Sequence, residues 1–374
     1  MIDYILREEY FGGLLIDVCR FQVYFLNRKQ FFITEYINRN NEHFRIIKNF
    51  TSKDALSAPT SITIYPSLRC NYNCSFCFAR PLSDIYKQDM SFSSFRHVVE
   101  QAKESGVCDI EIMGGEPFLL TWIYEAIEYI EISGLHCSIN TNGSNISEEM
   151  ISKLAKIRNL SFRISIQDNF NKIQGGQRLV LDLCKKYNFA IDILSVVQKE
   201  TCDNYNDLFL QLPKNIVKNV ILLYNSPRKG CFPDYSTDRF YKKIKEIQKK
   251  NTSGFRIVPK GPYAHFDMDF NESMTGFENG ICLATITRIE VMPNGDVIPC
   301  AKYYYNDRDV LGNVFHDDIK KIWFNEKSCS FRSFIHNIKH KDCDCSWKDN
   351  CSGCPGYFES LGIIFDDRCP KNKR

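Results

Sequence analysis

At 374 residues and 44% hydrophobic content, the chain can build one large domain plus smaller ones, and 48 basic against 45 acidic residues leave a net charge of only +3. So even a balance gives no reason to expect a nucleic-acid or membrane partner. Asp3, Glu8 and Glu9 break any signal-peptide pattern and no apolar run is long enough to span a bilayer, so a cytoplasmic protein is expected.

Seventeen cysteines are the unusual feature. Without an export signal, metal ligation explains them better than a disulfide framework. Cys70, Cys74 and Cys77 lie together in CNYNCSFC, and Cys282, Cys300, Cys343, Cys345, Cys351, Cys354 and Cys369 lie toward the C-terminus. The other seven (Cys19, Cys108, Cys137, Cys184, Cys202, Cys231 and Cys329) are scattered, as small buried hydrophobes would be.

In chain order, residues 1–58 form a first unit, with alternating apolar positions over 14–18 and 21–26 suggesting a hairpin and a helical stretch through Phe31, Ile33 and Ile37. A simple extension packed on the main domain would explain it. The run REEYFGGLLIDVCRFQVYFLNRKQFFITEYI also resembles the winged-helix recognition element of maturases of ribosomally made peptides, related to the pyrroloquinoline-quinone peptide chaperone. That resemblance implies a leader peptide bound by strand addition.

Residues 59–255 repeat a strand and helix pattern six times, with apolar strand-like runs at 62–65, 109–113, 136–140, 162–166, 190–197 and 220–224. Between the first two, residues 91–105 read as a helix with an apolar face at Phe92, Phe95, Val98, Val99 and Ala102, capped by Ser91 and ended by Gly106. Alternating strands and helices imply a parallel sheet, and six units imply an α/β fold of the partial (β/α)6 TIM-barrel type. Its active site is expected in the loops at the C-terminal ends of the strands.

Those loops carry the chemistry-bearing residues. The first strand leads into Cys70, Cys74 and Cys77, and the second into Gly114, Gly115, Glu116 and Pro117. Three thiolates can hold a four-iron cluster while leaving one iron open. Paired glycines allow close backbone approach to a ligand, and Pro117 suits a first helical turn. Zinc would need a fourth Cys or His, none lies within fifteen residues of the last thiol, and His97 sits on the capped helix.

CNYNCSFC followed by GGEP at the next strand resembles the radical S-adenosylmethionine (SAM) superfamily. The resemblance implies that SAM chelates the open iron, with the GGEP backbone and Glu116 around its methionine amino group. The third strand's Asn140, Thr141, Asn142 and Gly143 and the fourth strand's Ser165 would line the SAM pocket.

Residues 256–374 are cysteine-rich. PNGDVIPC reads as a hairpin turning at Asn294 and Gly295, just before Cys300. The seven thiols resemble the SPASM extension of peptide- and protein-modifying radical SAM enzymes, which carries two auxiliary four-iron clusters. Carried over by order, Cys282, Cys300 and Cys354 would hold the first, and Cys343, Cys345, Cys351 and Cys369 the second. The Cys343–Cys345 and Cys351–Cys354 spacings are each one residue shorter than usual in the family. The first cluster is one thiol short, leaving an open iron or a ligand such as Cys231 or Cys329. Zinc knuckles are the alternative for such spacing.

The resemblance implies SAM and three [4Fe–4S] clusters as cofactors, and cleavage of SAM to methionine and a 5′-deoxyadenosyl radical that removes hydrogen from an unactivated carbon. A precursor peptide is the expected substrate, with thioether or other crosslinking as the outcome and a flavodoxin- or ferredoxin-type electron donor. No catalytic residue beyond the thiol loop is identified. An anaerobic sulfatase-maturing enzyme, making formylglycine, is the alternative, although that family usually has Asp directly after the cysteine matching Cys300, where this chain has Ala301. A non-catalytic iron–sulfur electron carrier or peptide-binding scaffold is the other.

Overall fold

A computed structural model describes residues 1–48, 52–166, 175–197, 212–224, 237–250, 254–260, 282–301, 309–338 and 351–355. The first unit is a four-stranded sheet of β1 (Tyr4–Glu9), β2 (Gly12–Asp17), β3 (Gln22–Asn27) and β4 (Phe44–Ile47), in the order β3-β2-β1-β4. The expected hairpin is β2–β3, which pairs Leu14 with Phe25 and Ile16 with Val23. The helix α1 (Arg28–Asn38) follows at once, started by a reciprocal cap between Asn27 and Gln30. Its Phe31 is buried over Gly13, where a Cβ would stand 2.3 Å from the ring. The flanking strands β1 and β4 were not legible in the sequence, and the described part of the unit carries a single helix.

This unit is fastened to the main domain by buried polar contacts. Arg7, fully buried, donates to Glu9 (2.8 Å) and to the carbonyls of Pro59 (3.0 Å) and Gly106 (2.7 Å). Glu9 in turn accepts from the Ser57 amide (2.8 Å) and hydroxyl (3.0 Å). Arg45 donates to the carbonyls of Ser133 and Gly134, both at 3.1 Å, and Phe21 stacks on His136 with ring centroids 5.2 Å apart. Ile5, Leu14, Ile16 and Val18 join the main hydrophobic core.

The six strand-like runs are β5 (Ser61–Ser67), β6 (Asp109–Gly114), β7 (His136–Thr141), β8 (Leu160–Ser165), β9 (Ile191–Val197) and β10 (Val217–Tyr224), successively paired in parallel. Helices α2 (Arg80–Ser83), α3 (Phe92–Ser105), α4 (Ile123–Ile132), α5 (Glu148–Leu154) and α6 (Gly175–Lys186) fall between them, and α7 (Thr237–Lys250) follows β10. The Ser91 hydroxyl caps α3 and Gly106, at φ +91°, ends it, while Phe95, Val98, Val99 and Ala102 are buried. Burying such a side chain contributes about 1.5–3 kcal/mol for the larger residues.

The sheet is larger than six strands. β11 (Arg256–Lys260) adds in parallel beyond β10, and β12 (Arg288–Val291) adds in parallel beside β5. β13 (Asp296–Ile298) and β14 (Gly312–Asn313) continue it, giving ten strands in the order β11-β10-β9-β8-β7-β6-β5-β12-β13-β14. The core sheet thus runs past residue 255, and the cysteine-rich region covers the edge that β5 would otherwise leave unpaired. The hairpin at Asn294 and Gly295 is present, with Gly295 at φ +86°. Helices α8 (Ile319–Phe324) and α9 (Glu326–Asn337) complete the described elements.

These anchors of the first unit (Pro59, Gly106, Ser133, Gly134 and His136) lie just before, or at the start of, a core strand. The thiol loop and GGEP leave the opposite, C-terminal ends of β5 and β6.

Candidate active site

The approach to the thiol loop is held before the first cysteine is reached. Ser67 Oγ donates to Asp89 at 2.6 Å, the Arg69 guanidinium forks onto the same carboxylate, and Met90 N–H binds the Pro66 carbonyl at 2.8 Å. Cys70 is then exposed, and Cys74 and Cys77 are half-buried. The Cys77 amide turns back to the Cys74 carbonyl at 3.2 Å, and the Tyr72 amide points at Cys70 Sγ from 3.4 Å. Burial pushes the Cys70 and Cys74 thiols up, and the neighbouring thiols add to this at Cys74.

This donor set fits a cluster better than a single ion. Among the described residues, no three His, Cys, Asp or Glu side chains gather as one metal ion requires, whereas a cubane carries its ligands on separate corners. Amides aimed at sulfur suit thiolate ligands. His97 instead pairs with Gln101 on its own helix at 2.8 Å.

GGEP prolongs the β5–β6 pairing up to the loop. Gly115 N–H binds the Ser67 carbonyl (3.0 Å) and Glu116 N–H the Arg69 carbonyl (2.8 Å). The close approach that glycines permit is here made to the backbone leading into CNYNCSFC. Glu116, 1% exposed, accepts from Thr141 Oγ1 (2.7 Å) and Phe118 N–H (3.1 Å) on one oxygen and from Asn142 N–H (2.6 Å) on the other. Burial raises its pKa, and these three donors oppose the rise. Pro117 opens a short 3-10 turn, Pro117–Leu119.

At the end of β7, Gly143 N–H returns to Thr141 Oγ1 at 3.0 Å, and Gln177 Nε2 binds the carbonyls of Asn142 (2.9 Å) and Ser165 (3.0 Å). Glu116, Asn142 and Ser165 therefore meet at one end of the sheet. Asn140 lies lower on the sheet, where Thr63, Asn140 and Arg163 all bind Glu111 at 3.2, 3.3 and 2.7 Å. Asn140 Oδ1 and Arg163 Nε are buried with no hydrogen-bond partner among the described residues. The sequence reading missed Asn71, Asp89, Glu111, Ser144, Arg163 and Gln177. For Glu111 and Arg163 a signal existed: polar residues at every second position of strands that, in a buried parallel sheet, ordinarily read as apolar runs.

In the cysteine-rich region, Cys282 lies beside Cys354; burial, with Cys354 adding, pushes the Cys282 thiol up to about 11. Arg288 feels both Cys282 and Cys300. The Ala301 amide, directly after Cys300, donates to Glu290 at 2.8 Å, and Glu290 also accepts from Tyr65 Oη at 2.8 Å. Cys351 is buried. Cys343, Cys345, Cys369 and Cys231 lie outside the described residues. Cys329 lies on α9, with Arg332 Nη2 3.4 Å from its sulfur, and lines a cavity of about 500 Å³ with Ser52, Asp54, His336 and Asn337.

Residues 64–199 match the model of the radical SAM superfamily, and residues 282–355 match SPASM, an iron-sulfur cluster-binding domain. The chain is a radical SAM enzyme with a SPASM domain. As such it uses SAM and iron–sulfur clusters, which when bound supply a carbon radical able to take hydrogen from an unactivated C–H bond. It is 24% identical over 325 residues to the AdoMet-dependent heme synthase of Methanosarcina barkeri, covering 80% of this chain and 91% of that one. It is likewise 24% identical over 344 residues to the cysteine-type anaerobic sulfatase-maturating enzyme of Clostridium perfringens strain 13, covering 79% and 88%. Its fold is similar to that of Streptococcus suis SuiB bound to precursor peptide SuiA, with a TM-score of 0.78, 20% identity and 98% of each chain covered. No helix among the described residues is long and apolar enough to cross a membrane.

Proposed function

We propose that this radical SAM enzyme is a maturase of a ribosomally made precursor peptide, with residues 1–58 as its peptide-recognition unit. The observation that carries this reading is the outer face of that unit. Strand β3 pairs only with β2 among the described residues, leaving its other edge open for an added strand. Beside it α1 presents Phe32, Ile33, Tyr36 and Ile37 to solvent, residues one helical turn apart on one face, with Tyr36 69% and Ile37 70% exposed. Tyr24 and Phe25 of β3 are exposed as well. An open strand edge beside an apolar helix face suits an extended peptide with apolar side chains. SuiB, whose fold this chain shares, binds a precursor peptide, which supports the same reading.

Within the core, Cys70, Cys74 and Cys77 hold the SAM-binding cluster, and Gly114, Gly115, Glu116, Pro117, Asn142 and Ser165 surround SAM. Cys282, Cys300 and Cys354 serve one auxiliary cluster and Cys343, Cys345, Cys351 and Cys369 the other, for three [4Fe–4S] clusters in all. The first auxiliary cluster keeps an open iron or takes Cys231 or Cys329. An open iron suits a peptide thiolate, and so thioether formation. A small flavodoxin- or ferredoxin-type protein delivers the electron, in the cytoplasm.

The test is anaerobic incubation of the reconstituted enzyme with a short peptide encoded beside its gene, followed by mass spectrometry. Loss of two hydrogens from the peptide is the expected result. An aldehyde formed from a Cys or Ser would instead favour the sulfatase-maturing alternative, against which Ala301 stands. SAM cleavage without any modified peptide, or stoichiometric zinc in place of iron, would overturn the proposal.

A further inference from the structure

We infer that the Asn142 side chain, oriented by Asn71 and Ser144, is a positioning residue that sets the reduction potential of the cluster on the thiol loop. This rests on the reading that Cys70 is a cluster ligand. Asn142 Oδ1 accepts from the Ser144 amide at 2.9 Å and the Ser144 hydroxyl at 2.5 Å. With the oxygen so engaged, the amide nitrogen must point the other way, where Nδ2 donates to Asn71 Oδ1 at 2.9 Å and reaches Cys70 Sγ at 3.9 Å. Asn71 Nδ2 closes the ring by donating to Ser144 Oγ at 2.7 Å. The main chain of Asn142 is fixed too, its N–H on Glu116 and its carbonyl under Gln177.

The result is an amide dipole oriented by three hydrogen bonds, its positive end toward the sulfur of Cys70. The Tyr72 N–H also donates to that sulfur. A one-electron reduction adds negative charge that spreads onto the cluster's sulfurs. Donors aimed at a ligand sulfur stabilise the reduced form and raise the potential. Asn71 thus belongs to the site although it touches no expected ligand: it ties the residue after Cys70 to the loop after β7.

The experiment is a potentiometric titration of the reconstituted full chain, followed by electron paramagnetic resonance. The relevant signal is recognised by its change when SAM is added. Asn142→Leu, close in shape but without a donor, should shift that midpoint to lower potential. Ser144→Ala, which frees the amide without removing it, should shift it in the same direction by less. A midpoint unchanged in Asn142→Leu would overturn the inference. If that variant takes up no iron, Ser144→Ala and Asn71→Ala carry the test, and unchanged midpoints in both overturn it. A wild-type protein with iron but no SAM-sensitive signal would overturn the underlying reading of Cys70 instead.

Discussion

A Cβ placed on Gly115 would stand 1.9 Å from the Arg69 carbonyl oxygen, well inside any tolerable contact. At Gly114 the same addition would meet the Ser67 carbonyl oxygen at 2.1 Å, and φ there is +140°. Both obstacles are backbone, so neither can swing aside. Gly115→Ala should therefore break the Glu116–Arg69 pairing and displace the chain entering Cys70. The expected outcome is a loss of about 1–3 kcal/mol of stability in denaturant titration, with iron incorporation falling in parallel.

Arg7 binds the first unit to the core through a fully buried guanidinium whose acidic partner, Glu9, is equally buried. Burial raises the Glu9 pKa, opposed by Arg7 and Ser57. Removing the cation alone strands that carboxylate, so Arg7→Met should cost about 3–5 kcal/mol. The double variant Arg7→Met, Glu9→Gln should recover part of the loss. A thermal-denaturation double-mutant cycle measures both.

Asp109 and His136 form a buried pair 2.6 Å apart, with Ser61 and Ser138 also on Asp109. Burial raises the Asp109 pKa, but His136, Ser61 and Arg163 outweigh it and leave the group below its ordinary value. The ionised form is therefore favoured by folding. Its contribution is complete above the unfolded value of about 3.9 and is lost as pH falls through the lower folded value. Asp109→Asn should be less stable than wild type at neutral pH by about 1–3 kcal/mol. The difference should shrink below about pH 4, as urea titrations across pH will show.

The scattered thiols divide by exposure. Cys108, Cys137 and Cys184 are buried; burial pushes Cys108 up to about 11 and Cys184 up to about 12, and raises Cys137 strongly. They stay protonated and sheltered at neutral pH. Iodoacetamide labelling of the native protein with peptide mapping should spare all three and mark the exposed Cys329. Unfolding should make all of them reactive.

The core was legible because its signals are local. Each of the six strands has a short apolar run, α3 carries its own cap and stop at Ser91 and Gly106, and the thiol spacing is specific by itself. What escaped depends on partners distant in sequence. β12 is defined by lying against β5, more than two hundred residues earlier. β4 is four half-buried residues that become a strand by pairing with β1. The resemblance assigns Glu116 and Asn142 to SAM. The structure shows how fully they are occupied in holding the loops to each other, which no spacing reveals.

Because the first unit is fastened at the strand starts by Arg7, Arg45 and Phe21, a peptide held on β3 as proposed would begin its path at the opposite end of the core sheet from Cys70. One seven-residue core strand alone separates the two ends by about 20 Å. On the proposed reading, the enzyme would therefore act as a ruler. In any precursor it reads this way, the recognised segment and the modified residue must be parted by more than about six extended residues, with extra length to pass around the helices. Shortening that spacer should abolish modification while leaving binding to β3 intact.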